Sequence, residues 1–220
     1  INGERCVDPD LCKINLENLY KKGKRVIGIV FNLDPHYKGG SHWVSMYISL
    51  YNGGIYYFDS AGKFPVAQIV NLMTKLRNQG NLLIKNNIID FNSMHSDHSI
   101  ICNVLGTENN EIKIDDVKPF YKNMSFKVLD NNDDKLYYIK DVINKKIITD
   151  NPISSVSKKI IIKGFRLFYN DIKHQKGNTE CGVYSINFIK TLLHGKTYED
   201  YTRSIQDDNK MVERRDEYYR

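Results

Sequence analysis

Apolar runs and polar turns alternate in the first third of the chain. Residues 25–33 form a nearly continuous apolar run, which is typical of a buried strand. Residues 43–50 alternate in part, and the Asn-Gly-Gly turn at 52–54 leads into another apolar run at 55–58, as in a β-hairpin. The pattern therefore predicts three consecutive strands.

Two segments have the spacing of helices. Residues 65–77 place apolar side chains three and four positions apart, with Pro65 in the first turn. Residues 181–194 carry apolar side chains around most of the circumference, so we expect a helix buried on most sides that ends at Gly195. A further strand is expected at 165–169.

The middle of the chain is less regular. At about 92–163, polar clusters separate short apolar runs, which predicts an insertion or an irregular subdomain of short strands and helices. The length of 220 residues favours a single domain, residues 1–220, that contains this insertion. The charged tail at 198–220 is expected to pack as a surface helix.

Composition excludes several classes of protein. The chain is 41% hydrophobic and 26% charged, as globular proteins are, and no stretch approaches the ~18 apolar residues of a membrane span. Membrane protein, collagen and coiled coil are excluded. The net charge of +6 is mildly basic, but the basic residues are scattered in pairs such as Lys145-Lys146, which is more typical of a solvated surface than of a nucleic-acid site.

The cysteines and histidines favour neither disulfides nor a metal site. No secretory signal begins the chain, so we expect reduced thiols at Cys6, Cys12, Cys102 and Cys181. His95 and His98, followed by Cys102, have the spacing of metal ligands but lack a convincing fourth ligand. Surface histidines explain them more simply, and we expect no metal.

Cys181 begins the predicted buried helix. Unpaired N–H groups and the helix dipole favour thiolate over thiol at such a position, and Gly182 leaves the backbone beside the sulfur open. A cysteine that only packs at a helix start explains the pattern equally well.

A nucleophilic cysteine needs a base and a group that orients the base. His42 precedes Trp43 at the start of the second strand and Asp59 ends the third, so the hairpin brings them together if its register is right. Gln175 lies six residues before Cys181, where its amide, with the Cys181 N–H, would stabilise an oxyanion. Taken one at a time, a surface histidine, a strand-end aspartate and a solvated glutamine are the simpler explanations.

Taken together, these residues and their order resemble the ubiquitin-like protease family of cysteine proteases, which includes the SUMO-specific proteases and is related in architecture to the adenovirus protease. The matching segments are Gly-Ser-His-Trp-Val-Ser-Met at 40–46, Tyr-Phe-Asp-Ser-Ala-Gly at 57–62 and His-Gln-Lys-Gly-Asn-Thr-Glu-Cys-Gly-Val-Tyr at 174–184. With the ending Ile205–Met211, Arg215 and Tyr218-Tyr219, they are more similar to the branch encoded by large nucleocytoplasmic DNA viruses.

The resemblance implies an α+β fold of the papain-like or adenain type, in which a mixed sheet packs against a buried helix that carries the nucleophile. It implies no cofactor. It implies the base His42, its orienting carboxylate Asp59, the nucleophile Cys181, the oxyanion donor Gln175 and the substrate-channel residues Trp43 and Gly182. The 115 residues between Asp59 and Gln175 exceed the compact core of cellular members, and the family assigns no role to the insertion.

The implied function is a cysteine endopeptidase that cleaves viral structural precursor proteins after Gly-Gly during virion maturation, in the virion or the infected-host cytoplasm. One alternative is a ubiquitin-like or SUMO isopeptidase that acts on host conjugates, and another is a catalytically silent binding module of the same fold. The expected partner is a protein substrate, either a viral polyprotein or a ubiquitin-like conjugate. Nucleic acid stays open as a further partner, as in adenovirus-type relatives.

Overall fold

A computed structural model of the chain describes residues 9–34, 37–38, 40–95, 98–115, 120–129, 135–144, 146–153 and 159–219. In chain order the strands are β1 (Val26–Asn32), β2 (Trp43–Ser49), β3 (Gly54–Phe58), β4 (Ile100–Glu108), β5 (Glu111–Ile114), β6 (Ser125–Val128), β7 (Tyr137–Ile143), β8 (Lys146–Thr149), β9 (Lys159–Lys163) and β10 (Arg166–Tyr169). The helices are α1 (Pro9–Cys12), α2 (Leu16–Lys21), α3 (Ala67–Lys85), α4 (Cys181–Leu193), α5 (Tyr198–Arg203) and α6 (Asp208–Tyr218).

A mixed sheet with the strand order β1-β2-β3-β10 forms the framework. The pairs β1–β2 and β2–β3 are antiparallel, whereas β10 runs parallel to β3. The predicted hairpin is confirmed: Asn52 accepts a hydrogen bond from the Gly54 N–H at 2.9 Å, and Gly53 takes a positive φ of 72°. The prediction of a buried first strand is wrong, because β1 lies at the sheet edge and is only half-buried.

Helices cover both faces of this sheet. Along β2, Met46 and Ile48 belong to a core shared with α3, whereas Tyr47 faces the opposite core with α4. In that second core the rings of Phe58 and Phe188 stack with centroids 4.9 Å apart. The arrangement buries α4 between the sheet and the C-terminal helices, as predicted for the helix that carries Cys181.

Helix α3 is longer than its apolar pattern indicates. It begins two residues after Pro65 and continues past Arg77, where we expected it to end. Gly80 and Asn81, beyond the expected end, are packing positions. A Cβ on Gly80 would lie 2.3 Å from the Phe165 ring, and the Asn81 side chain accepts a hydrogen bond from the Phe165 N–H at 2.6 Å.

The segment expected to be an irregular subdomain forms a closed barrel with the strand order β4-β5-β8-β7-β6-β9. Its described residues contain strands and no α-helix, so that part of the expectation is wrong. The barrel has its own core, in which the rings of Phe126 and Tyr137 stack 5.3 Å apart. The Tyr138 hydroxyl links it to the end of α3 by donating to the Lys85 carbonyl at 3.0 Å. The division into one domain with an insertion stays a prediction.

The C-terminal tail forms two helices where one surface helix was expected. Thr197 caps α5 and Asp207 caps α6, each through its side-chain oxygen. Tyr201 and Met211 are fully buried against α4. The tail therefore completes the second core. The sequence did not predict this, because the tail is highly charged.

The expectation of reduced thiols is wrong for Cys12, which is disulfide-bonded, while Cys102 and Cys181 are free. Disulfide formation depends on the approach of two Cα atoms in space, which the sequence spacing does not reveal. Within the described residues, no helix combines the length and the apolar character needed to cross a membrane.

Candidate active site

The hairpin of β2 and β3 places His42 beside Asp59. The two strands are antiparallel, with Ser45 opposite Phe58. His42, just before β2, and Asp59, just after β3, therefore lie at the same end of the hairpin. His42 Nε2 lies 2.8 Å from Asp59 Oδ1. The carboxylate is almost fully buried, whereas the imidazole is partly open to solvent.

Asp59 is itself held by neighbouring groups. Its Oδ1 accepts a hydrogen bond from the Ala61 N–H at 2.7 Å. Its backbone N–H donates to the Asn170 side chain, which in turn donates to the Asp59 carbonyl, both at 2.8 Å. Asn170 follows β10, so the parallel pairing of β10 with β3 orients the carboxylate. Sequence reasoning missed Asn170, because its partner is 111 residues away.

Cys181 opens α4, which packs against β2 and thereby reaches His42. Its side chain hydrogen-bonds to the imidazole, and the backbone N–H groups of Trp43 and Gly182 point to the sulfur. Since Nε2 of His42 faces Asp59, Nδ1 is the ring nitrogen left for the thiol. The three predicted residues thus form one hydrogen-bonded chain.

The electrostatics of this chain favour an ion pair. The hydrogen bond to Asp59 and then the bond to Cys181 raise the pKa of His42 to about 9. Burial opposes ionisation of Cys181, but the bonds from His42, Trp43 and Gly182 outweigh it and lower the pKa of the thiol. Both directions favour the imidazolium–thiolate pair, the reactive state of a nucleophilic cysteine.

Gln175 is buried, not solvated. Its Oε1 accepts a hydrogen bond from the Ser60 hydroxyl at 2.8 Å, and its backbone N–H donates to the Ser60 carbonyl at 2.9 Å. The side-chain amide Nε2 makes no hydrogen bond with any described residue. Ser60 therefore fixes the amide through its oxygen and leaves the N–H donors available.

Gly182 lies between two aromatic side chains. A Cβ at this position would lie 3.9 Å from Trp43 Cγ and 2.8 Å from the Tyr219 hydroxyl. Both rings are partly exposed, Trp43 at 37% and Tyr219 at 61%. The two side chains therefore flank the backbone next to the nucleophile. Tyr219 received no role from the sequence, since only the folding of α6 back onto α4 brings it here.

The candidate metal ligands serve other contacts. His98 Nε2 lies 2.5 Å from the Tyr56 hydroxyl, beside a cavity of about 230 Å³ at the far end of α4, and Cys102 is buried in the barrel core. Across the described ranges, no three His, Cys, Asp or Glu side chains lie close enough together to hold a metal ion.

Comparison with known proteins gives matches of sequence and of fold. No family model matches the chain. It is 25% identical over 210 residues to R355 of Acanthamoeba polyphaga mimivirus, which is named as a candidate thiol protease; the match covers 96% of this chain and 44% of R355.

Two crystal structures of the ASFV pS273R protease have a similar fold. One matches with a TM-score of 0.54 over 96% of this chain and 54% of that protein, and the selenomethionine form matches with 0.50 over 92% and 52%, both at 18% identity. The chain therefore spans about half the length of these relatives. The α+β fold class and the resemblance to proteases of large DNA viruses are confirmed.

Proposed function

We propose that this chain is a cysteine peptidase with His42, Asp59, Cys181 and Gln175 as its catalytic residues. The observation that carries the proposal is the hydrogen-bonded chain from the buried Asp59 carboxylate through His42 to the Cys181 thiol. A base oriented by a third group, in contact with a nucleophile, is the arrangement that covalent acyl transfer needs. The names of R355 and of the pS273R protease support the same activity.

The reaction proceeds by ordinary acyl transfer. The Cys181 thiolate attacks the scissile carbonyl carbon, and the resulting oxyanion accepts hydrogen bonds from the Gln175 amide and the Cys181 N–H. The His42 imidazolium gives its proton to the leaving amine, which departs and leaves a thioester. His42, now neutral, takes a proton from water, whose hydroxide attacks the thioester. Collapse releases the carboxylic acid product and restores the thiolate–imidazolium pair.

The substrate we propose has small residues, Gly-Gly above all, before the cut bond. Trp43 and Tyr219, which flank Gly182, support this preference, because a larger substrate side chain beside the nucleophile would meet one of the rings. We further propose that the substrates are viral structural precursors cleaved in the virion or the infected-host cytoplasm. The viral origin of R355 supports this assignment.

A ubiquitin-like isopeptidase is the second candidate, because the same residues would accept the Gly-Gly end of a ubiquitin-like protein. The two candidates differ in what lies beyond Gly-Gly. An endopeptidase cuts ordinary peptides, whereas an isopeptidase needs a folded ubiquitin-like partner.

A mass-spectrometric cleavage profile on a diverse peptide library tests the proposal. Wild type is compared with Cys181→Ala and with Cys102→Ala, which removes the other free cysteine of the described residues, in the barrel. We expect cuts after Gly-Gly with wild type and Cys102→Ala, and none with Cys181→Ala. Cleavage of ubiquitin-like conjugates without peptide cleavage would favour the isopeptidase. Full activity in Cys181→Ala would refute the assignment.

A further inference from the structure

The segment before α4 carries Gln175 and leads to Cys181, and helix α6 holds it at both of its ends. At the first end, both oxygens of Asp208 face the backbone. Oδ2 accepts hydrogen bonds from the N–H of Lys176 at 3.0 Å and of Gly177 at 2.7 Å, and Oδ1 lies 3.3 Å from the Lys176 nitrogen as a second acceptor. These are the first two residues after the proposed oxyanion donor.

The Asp208 carboxylate is fixed in turn by α4. The Tyr184 hydroxyl donates to its Oδ1 at 2.6 Å and lies 3.1 Å from the Gln206 carbonyl oxygen. Burial disfavours the charged form, but the hydrogen bonds from Tyr184, Gly177 and Lys176 hold the pKa of Asp208 below its ordinary value. The group is therefore a charged acceptor with little rotational freedom.

His174, the residue before Gln175, is also fixed by hydrogen bonds. His174 is buried and stacks on Tyr201. Its Nδ1 accepts from the Gln206 N–H at 3.3 Å, so Nε2 carries the proton and donates to the Thr202 carbonyl at 3.0 Å. The backbone of Gln175 is thus held from both neighbours by α5, α6 and their connection.

At the second end, Arg215 holds the residues just before the nucleophile. Its Nη2 donates to the Thr179 carbonyl at 2.8 Å and to the Glu180 carboxylate at 3.0 Å, and its Nε donates to the same carboxylate at 3.1 Å. Asp208 and Arg215 are seven residues apart on one helix, two turns on the same face, so both ends of the segment rest on one rigid element.

We propose that Asp208 is a positioning residue for catalysis. It fixes the backbone that follows Gln175, and so keeps the side-chain amide aimed at the oxyanion while Ser60 fixes the amide oxygen. The inference rests on the proposed peptidase function. It assigns to α6 the task of holding the oxyanion donor and the nucleophile at a constant separation.

Steady-state kinetics of Asp208→Asn test the proposal against Asp207→Asn. Asp207 is the neighbouring carboxylate and caps α6. Among the described residues its side chain bonds only to the Asn209 N–H, so the control makes the same change of charge at the same helix end. Removing an oxyanion donor lowers kcat by about 10²–10³. Because Asp208 only positions that donor, we expect Asp208→Asn to lower kcat by less, about tenfold. KM should stay within about twofold, and Asp207→Asn should behave as wild type.

A double-mutant cycle separates positioning from a general structural role. If Asp208 acts through Gln175, then Asp208→Asn lowers kcat no further in a Gln175→Ala background. An equal loss in both backgrounds would overturn the proposal. Tyr184→Phe, which removes only the hydroxyl that orients the carboxylate, serves the same cycle if Asp208→Asn does not fold, with a smaller loss expected.

Hydrogen exchange of residues 175–181 keeps the test independent of activity. We expect faster exchange of this segment in Asp208→Asn than in Asp207→Asn, because the Lys176 and Gly177 N–H groups lose a charged acceptor. Unchanged exchange would refute the role of Asp208 in fixing this segment, even if the protein proved not to be a peptidase. Faster exchange without any peptidase activity in wild type would instead refute the proposed function alone.

Discussion

At the scale of single residues, His42 is the link on which the candidate site depends. It contacts the buried Asp59 on one side and Cys181 on the other, and its pKa of about 9 results from both contacts. The proton that it holds at neutral pH stabilises the thiolate and is the proton that the leaving amine needs. The protonation state of His42 therefore controls both the nucleophile and the general acid.

The dependence of kcat/KM on pH tests this link. The raised pKa of His42 keeps the imidazolium below about pH 9, so we expect activity to fall as pH rises through about 9. Asp59→Asn removes the largest cause of the raised pKa, and the alkaline limb should move to lower pH. An alkaline limb that stays in place in Asp59→Asn would contradict the assignment of Asp59.

The same group links stability to pH. Because the folded pKa lies above the ordinary value of 6.5, the contribution of His42 to stability is complete below pH 6.5 and is lost as pH rises through about 9. Urea unfolding of wild type and His42→Gln at several pH values measures it. The difference between them should shrink over that interval.

Gly182 gives a prediction in which activity and stability change in opposite directions. Alanine has a helix propensity up to about 1 kcal/mol better than glycine, and the atom that its Cβ would meet is the mobile end of Tyr219. We expect Gly182→Ala to keep or raise the melting temperature. Its methyl group adds bulk between Trp43 and Tyr219, beside the nucleophile, so kcat/KM for Gly-Gly peptides should fall. Full activity would show that substrate does not pass here.

At the scale of elements, the contact between α3 and β10 shows how packing overrides local preference. Gly80 is unfavourable inside a helix, yet the Phe165 ring occupies the space of its side chain. The Phe165 N–H also finds its acceptor on the next residue, Asn81. Helix and strand are therefore fixed face to face at this point.

Gly80→Ala should destabilise the protein although alanine favours helices. Overpacking against Phe165 is expected to cost about 1–3 kcal/mol, which exceeds the gain in propensity of about 1 kcal/mol. The midpoint of urea unfolding measures this change. Gly106→Ala is the control, because nothing lies within 4 Å of a Cβ at Gly106 and its φ is not positive. Equal midpoints for the two variants would contradict the packing argument.

At the scale of the whole molecule, the barrel and the catalytic sheet have separate cores. All the candidate catalytic residues lie outside the barrel, which joins the rest through contacts such as that of Tyr138 with Lys85. We therefore expect bond cleavage not to depend on how the barrel core is packed.

Ile147→Val tests this separation. Ile147 is fully buried in the barrel, and loss of one methyl group should lower stability by about 0.5–1.5 kcal/mol. We expect kcat/KM for short peptides at 25 °C to stay unchanged. Ile55→Val makes the same change at a fully buried position of β3, in the sheet that carries the site, and serves for comparison. A loss of peptide cleavage in Ile147→Val alone would show that the barrel supports the chemistry.

The amino-acid sequence by itself determined the features that arise from neighbouring residues. The hairpin of β2 and β3, the strand β10 and the start of α4 at Cys181 follow from turn residues and apolar spacing, which act over a few positions. The order of His42, Asp59, Gln175 and Cys181 along the chain also pointed to the chemistry, because the matching segments are short and continuous.

Only the tertiary structure decided the features that depend on residues far apart in the chain. The closure of the barrel, the edge position of β1 and the support of the site by Asn170, Asp208 and Tyr219 belong here. These contacts form when α6 returns to α4 and β10 pairs with β3. The hydrophobic periodicity of a single segment does not predict these contacts, because each depends on how two elements pack. Their packing depends in turn on the side chains of the whole core.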